Sequence, residues 1–304
     1  MDDHRIVFFG TNDVGVPVLE HLIDAGYDLV AVVTKPDAPS GRGRELTAPE
    51  VKTIAEKAGI PVLQPELLDD DFVEELRDLS PTVGILVSYG KIIPEEVLDL
   101  FEPGIINIHP SLLPKYRGSS PIEQAILNGD KETGVSLMLL DEGMDTGPVY
   151  LTVKAPLTGT ETKPKLYDQL SQLGAITLVE HLEDILGGDL SATPQDDQEA
   201  TIAPRISKQD GLIDWSKPAT QLEREVRAYL GWPGSRTTLF DRDVTVTAAS
   251  VEEDSDTSLA PGEAKPVYGS IEVGTGNGIL KIERLQPVGK KEMTAAEFLR
   301  GLRL

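Results

Sequence analysis

Apolar residues follow two periods along this chain, and the balance between them changes once. Over the first two thirds, short unbroken apolar runs alternate with stretches in which apolar residues recur every three or four positions. The runs lie at residues 5–10 (RIVFFG), 29–34 (LVAVVT), 61–64 (PVLQ), 83–88 (VGILVS) and 104–109 (GIINIH). Such runs predict strands buried on both faces. Between the first two, Val18, Leu19, Leu22 and Ile23 share one helical face, which Gly26 closes. Thr47-Ala48-Pro49-Glu50 matches a capping box and opens a helix with Val51, Ile54, Ala55 and Ala58 inward, stopped by Gly59. Helical spacing returns at residues 72–79 and 95–100. Strand and helix thus alternate, which predicts an open, mostly parallel, Rossmann-like α/β sheet. A helix at 121–127, strands at 135–140 and 149–153, and a long helix at 164–186 continue it. That last helix carries Leu166, Leu170, Leu173, Ile176, Val179, Leu182 and Leu186 at helical spacing.

The pattern then lapses. Residues 187–209 are rich in Gly, Pro, Asp, Gln and Thr without apolar period, and read as an extended linker. Beyond it, Leu222, Val226 and Tyr229 mark one helix, broken at Pro233-Gly234. Short strands follow at 236–239, 244–248, 266–273 and 278–285, separated by turn residues. They predict a small β-barrel of OB-like type. The expected division is a catalytic α/β domain over 1–188, a linker over 189–207 and a barrel domain over 208–304.

Composition narrows the functional classes. A chain of 304 residues with 39% hydrophobic content can fill two cores. The absence of cysteine excludes disulfides, thiolate metal sites and cysteine nucleophiles. The amino terminus has acids and only a strand-sized apolar run, and no stretch approaches the ~18 apolar residues of a membrane span. A cytoplasmic protein that does not enter membranes is expected. The net charge of −23 argues against nucleic-acid binding, but it is unevenly placed. Residues 208–304 carry a net −2, and residues 1–207 carry −21. A binding face needs only a local basic patch.

Candidate chemistry is confined to few positions. After the first strand stands Gly10-Thr11-Asn12-Asp13-Val14-Gly15, without the glycine fingerprint of dinucleotide binding, and Pro17 removes an N–H that a pyrophosphate would use. The four histidines form no metal-ligand spacing. His109 is the distinctive one, because it ends a buried strand at the carboxyl edge of a parallel sheet, where α/β proteins place ligands. Asn107 stands two residues earlier and so on the same face. Both could simply satisfy loop backbone. The acidic loop Asp141-Glu142-Gly143-Met144-Asp145-Thr146-Gly147 can bring Asp145 to them. An Asn, a His and an Asp together suit transfer of a group at the carbonyl oxidation level.

These residues are similar to the folate-dependent formyltransferase family, in Asn107-Ile-His109, in Ser111-Leu112-Leu113-Pro114 and in Asp145 of D-E-G-M-D-T-G. Further segments resemble the branch that acts on methionyl-tRNA. They include Thr34-Lys35-Pro36-Asp37 running to Gly41-Arg42-Gly43, Gln64-Pro65, Val87-Ser88-Tyr89-Gly90, Arg117-Gly118, Ile213-Asp214-Trp215, Trp232-Pro233-Gly234 and Gly289-Lys290-Lys291. The resemblance spans nearly the whole chain, with departures at Asn12, Pro110 and Lys115-Tyr116. It implies the formyltransferase fold, 10-formyltetrahydrofolate as co-substrate without a metal, and initiator methionyl-tRNA as partner of a monomer. It also implies catalytic roles for Asn107, His109 and Asp145. The folate would lie against Leu86, Val87, Ser88, Tyr89 and Ile92, with Ser111, Leu112, Leu113 and Pro114 beside it. Lys35, Arg42 and Arg44 correspond to a loop that enters the acceptor arm of the tRNA; without the resemblance they read as a solvated, mobile surface loop. Formyltransferases of small amines, a hydrolase and an inactive tRNA-binding relative stay open as alternatives.

Overall fold

The computed structural model describes residues 4–40, 45–252 and 259–302. β1 (Arg5–Gly10) leads through α1 (Val16–Asp24) to β2 (Asp28–Val33). A hairpin of β3 (Ala38–Ser40) and β4 (Glu45–Thr47) precedes α2 (Glu50–Ala58), β5 (Val62–Leu63), α3 (Asp70–Asp78) and β6 (Val83–Val87). Then come α4 (Glu95–Leu98), β7 (Ile105–His109), β8 (Arg117–Gly118), α5 (Pro121–Asn128), β9 (Glu132–Leu139), β10 (Val149–Pro156), α6 (Lys163–Leu186) and β11 (Ile202–Ala203). The remainder holds α7 (Ala219–Ala228), β12 (Ser235–Leu239), β13 (Arg242–Glu252), β14 (Ala264–Val267), β15 (Ser270–Gly274), β16 (Ile279–Pro287), β17 (Met293–Thr294) and α8 (Ala295–Arg300). These elements gather into two compact units, one of Met1–Gly118, Thr133–Ala155 and Tyr167–Ile202, the other of Ser119–Glu132, Pro156–Leu166 and Ala203–Leu304.

The first unit is built on a seven-stranded sheet in the order β10-β9-β7-β6-β1-β2-β5. β1 pairs in parallel with both β2 and β6, and β6 in parallel with β7. β9 runs antiparallel to β7, with His109 opposite Ser136 and Asn107 opposite Met138. An apolar run does not reveal strand direction, so the reversal at β9 was invisible in the pattern. Val7 and Phe9 of β1 pack with Phe72, Val73 and Leu76 of α3 and with Tyr89, while Ile6 and Phe8, pointing the other way, are also fully buried. Each such side chain contributes about 1.5–3 kcal/mol of burial. α3 starts two residues before the expected 72–79, where the Asp69 carboxylate caps it by accepting from Phe72 N at 3.3 Å.

Two local expectations change. The capping box before α2 does not form: Pro49 is the N-cap and makes no side-chain cap, while Thr47 belongs to β4. Within the segment read as a loop, residues 38–40 pair as β3 with β4, and the chain just before β3 is pinned. Lys52 Nζ lies 2.9 Å from Asp37 Oδ1 and 2.8 Å from Gln64 Oε1, and Gln64 Nε2 donates to the Lys35 carbonyl at 2.8 Å. Hydrogen bonds from Gln64 and Lys52 hold the Asp37 carboxyl below its usual range.

In the second unit the strands form an antiparallel ladder in the order β12-β13-β16-β15-β14, with β17 on β16. Register shifts between Val246 and Ala249 put an irregularity in β13. Leu222 and Val226 of α7 and Ala295 and Phe298 of α8 cover Val246, Ile271, Leu280, Ile282 and Leu285. The strand expected at 266–273 is two strands, folded back at Tyr268-Gly269, where Gly269 has φ +82°. α8 escaped the sequence pattern because only Ala295 and Phe298 are buried, although Thr294 and Glu297 form a full capping box. Among the described residues the ladder is an open path from β12 to β14.

Candidate active site

Strand order decides where a site can be. From β1 the chain crosses to β2 and β5 on one side and to β6 and β7 on the other, so the order reverses beside β1. Crevices at such reversals, beyond the carboxyl ends of the strands, are where open α/β sheets bind ligands. The loops after β1 and β6 are tied together there, Thr11 Oγ1 donating to the Tyr89 carbonyl at 3.1 Å and Asn12 Nδ2 to Ser88 Oγ at 2.9 Å.

β7, next to β6, presents Asn107 and His109 from one face at this edge. Asn107 is only 6% exposed, and among the described residues its amide has no hydrogen-bond partner. The amide is therefore free to pair with a ligand that enters from this edge. His109 Nε2 is 2.9 Å from the Tyr116 carbonyl, and its Nδ1 is 3.6 Å from Asp145 Oδ1. A carbonyl can only accept, so Nε2 carries hydrogen and Nδ1 is the ring atom left for chemistry. At 3.6 Å the Nδ1–carboxylate contact is too long for a direct hydrogen bond.

Asp145 reaches this position through a left-handed backbone, φ +55°, rare for a residue with a side chain. Its Oδ2 accepts from Gly118 N at 2.8 Å, leaving Oδ1 toward the histidine. Gln195 Nε2 donates to the Asp145 carbonyl at 2.9 Å and the Gly147 carbonyl at 2.7 Å. Arg117, whose side chain is nearly buried, donates from Nε to Gln195 Oε1 at 3.0 Å and from NH2 to Asp197 Oδ1 at 2.8 Å. Sequence reasoning assigned no role to Gln195, Tyr116 or Thr201. Gln195 and Thr201 sit in a stretch whose composition reads as linker, and Tyr116 acts through its backbone, which no side-chain pattern reports.

The other expected residues are placed unevenly. Ser111, Leu112, Leu113 and Pro114 follow β7 directly. Ser111 is fully buried and its hydroxyl donates to the Lys115 carbonyl at 2.6 Å, while Ser136 Oγ accepts from Leu113 N at 3.1 Å. Gly134 is required beside them, since a Cβ there would lie 2.1 Å from the Val153 carbonyl oxygen and 2.5 Å from Leu112. Val87 and Tyr89 turn their side chains into the core, and burial pushes the Tyr89 hydroxyl up to about 12, so they offer a ligand backbone only. Leu86 is half-buried, Ser88 exposed, and Ile92 is 88% exposed. The Lys35 ammonium has no partner among the described residues and lies in the space a Gly90 side chain would fill. Burial, then the charge of Lys35, lowers Lys91. Arg42 and Arg44 lie outside the described residues. Among those residues, no group of three or more His, Cys, Asp or Glu could hold a metal ion, and no helix is long and apolar enough to cross a membrane.

The sequence matches the formyl transferase family model over residues 4–182 and that family's C-terminal domain model over residues 205–303. The chain belongs to the formyl transferase family. Among formyl transferases it is 45% identical to the methionyl-tRNA formyltransferase of Halorhodospira halophila over 300 residues, covering 99% of this chain and 97% of that one. It is also 45% identical to that of Myxococcus xanthus over 308 residues, covering 100% and 97%. An N-formyltransferase from Helicobacter canadensis, solved with folinic acid and dTDP-3-aminofucose, shares the fold. Its TM-score is 0.71 at 19% identity, covering 93% of this chain and 99% of that one.

Proposed function

We infer that this chain transfers the formyl group of 10-formyltetrahydrofolate to the α-amino group of methionyl-tRNA, producing formylmethionyl-tRNA for translation initiation. The observation that carries this reading is the convergence of Asn107, His109 and Asp145 at the carboxyl edge of the sheet, with the nearly buried Asn107 making no side-chain hydrogen bond among the described residues. That amide is what a formyl carbonyl would use. Asn107 and His109 would stabilise the carbonyl oxygen as it becomes an oxyanion, Asn107 by donating to it. Asp145 Oδ1 would take the proton the amine loses as the new C–N bond forms, directly or through water, and that proton ends on the folate nitrogen that leaves.

The folate would lie in the crevice beyond these strand ends. Leu86, Ile92, Leu112, Leu113 and Pro114 supply apolar surface, Ser88 a hydroxyl, and Val87, Tyr89 and Ser111 backbone groups, a mixture suited to a flat heteroaromatic ring. For the initiator tRNA, Lys35 offers an ammonium unpaired among the described residues, a few residues before Arg42 and Arg44 in sequence. In the second unit, Lys208, Lys290 and Lys291 are exposed and free of ion pairs among the described residues. Arg227 and Lys281 are instead engaged with Glu223 and Glu252. The catalytic region over 1–188 and the tRNA-binding module over 208–304 divide the labour, in a cytoplasmic monomer.

Asn107→Ala, His109→Ala and Asp145→Ala should each lower kcat for methionyl-tRNA by roughly 10²–10³, the scale of one oxyanion or proton-transfer group. Steady-state kinetics on variants shown folded by circular dichroism check this. Retention of most activity by His109→Ala would overturn the assignment.

A further inference from the structure

Asp145 is useful only if its carboxylate faces His109, and its own backbone does not prefer that arrangement. Its φ of +55° lies in the left-handed region, and the loop around it is held by short polar residues: Asp141 Oδ1 accepts from Gly143 N at 3.1 Å and from Thr146 Oγ1 at 2.9 Å. What spans this loop is the side chain of Gln195. Its amide nitrogen reaches the carbonyls of Asp145 and Gly147 together, at 2.9 and 2.7 Å. The orientation of that amide is settled by Arg117, since a guanidinium has donors only. Gln195 Oε1 must face Arg117 Nε, 3.0 Å away, and the NH2 group must face the loop. Arg117 is itself held by Asp197 at 2.8 Å.

The same segment also fixes the other side of the site. Thr201 Oγ1 accepts from Tyr116 N at 2.9 Å, Thr201 O accepts from Arg117 N at 2.9 Å, and Thr201 N donates to Pro114 O at 3.3 Å. Tyr116 is the residue whose carbonyl sets the hydrogen of His109 on Nε2. Residues 195–201 therefore grip both the loop that carries Asp145 and the turn that orients His109.

We propose that Gln195, oriented by Arg117, is a positioning residue for formyl transfer: it holds the left-handed turn at Asp145 so that the carboxylate stays on the reacting side of His109. The inference rests on the catalytic assignment of Asp145. Transfer requires reacting groups placed to within a fraction of an ångström, so loss of the strut should act on turnover and spare substrate binding. Gln195→Ala should lower kcat by roughly 10-fold to 100-fold with KM for methionyl-tRNA and folate within about twofold of the parent.

Gln195→Glu separates this from a simple structural role. The carboxylate still accepts from Arg117 but sets an acceptor against the two carbonyls, so positioning predicts a loss at least as large as with alanine. A role confined to anchoring Arg117 predicts that Glu rescues. The decisive measurement is a double-mutant cycle in single-turnover formylation, with thermal melts confirming that each variant is folded. In the Asp145→Ala background, Gln195→Ala should cost less than about threefold. If Asp145→Ala alone leaves the rate intact, the catalytic assignment fails. If Asp145→Ala slows transfer while Gln195→Ala leaves kcat unchanged, or the two losses multiply in full, the assignment stands and the positioning role is wrong. If Gln195→Ala does not fold, full activity of Gln195→Glu overturns the positioning role in the same way.

Discussion

Glu161 shows how much one carboxylate can organise in the turn before α6. Burial alone would raise its pKa, but the Thr158 hydroxyl and backbone N–H, with the N–H of Gly159, converge on it and bring it down to about 2. A carboxyl depressed in the folded state gives stability that is present above its unfolded value of about 4.3 and is lost as pH falls through about 2. Glu161→Gln should therefore melt a few degrees below the parent at neutral pH, with the gap closing between about pH 4 and pH 2. Melting curves across that window check it, and a gap independent of pH would show that the charge is not responsible. Legibility differed sharply among residues. Asn107 and His109 were readable because a polar pair inside an apolar run is costly without a purpose, and a strand's period puts both on one face. Gln195 was unreadable, because its partners are main-chain carbonyls 48 and 50 residues away in sequence.

At the scale of elements, the main strands and helices of the first unit followed from apolar period with ends shifted by a few residues, since central strands buried on both faces leave few alternatives. β3, β4 and α8 did not, because each is short and shows little buried face. The linker reading of residues 187–209 missed the segment that grips the site for a related reason: it acts through backbone and single polar contacts rather than through a buried stripe. α5 carries a consequence for dissecting the chain. Ile122, Ala125 and Ile126 are buried, and α5 packs on α7, to which Arg224 also ties it by donating to the Asn128 carbonyl at 3.3 Å. A chain ended near Leu190 lacks α7 and should expose that apolar face. It is expected to bind a hydrophobic dye and to melt well below the parent. A truncated chain with the parent's melting temperature and no dye binding would show that α5 does not depend on α7.

The whole molecule poses a charge problem that its architecture eases. A net −23 repels a polyanion at long range, yet nearly all of the excess lies in residues 1–207, and residues 208–304 are close to neutral. On the proposed function, docking of tRNA would depend on local groups such as Lys35, Lys208, Lys290 and Lys291 rather than on the overall field. What chemistry follows is a matter of the acceptor. The trio alone suits several amines, and the acceptor distinguishes a tRNA enzyme from one that modifies small molecules. The most direct measurement supplies the protein with 10-formyltetrahydrofolate and a mixture of methionyl-tRNA, an amino-sugar nucleotide and glycinamide ribonucleotide, and follows which amine gains the formyl group. Formylation of methionyl-tRNA, abolished by His109→Ala, is the predicted result. Formylation of either small amine in its place, or formate released with no acceptor modified, would contradict the account.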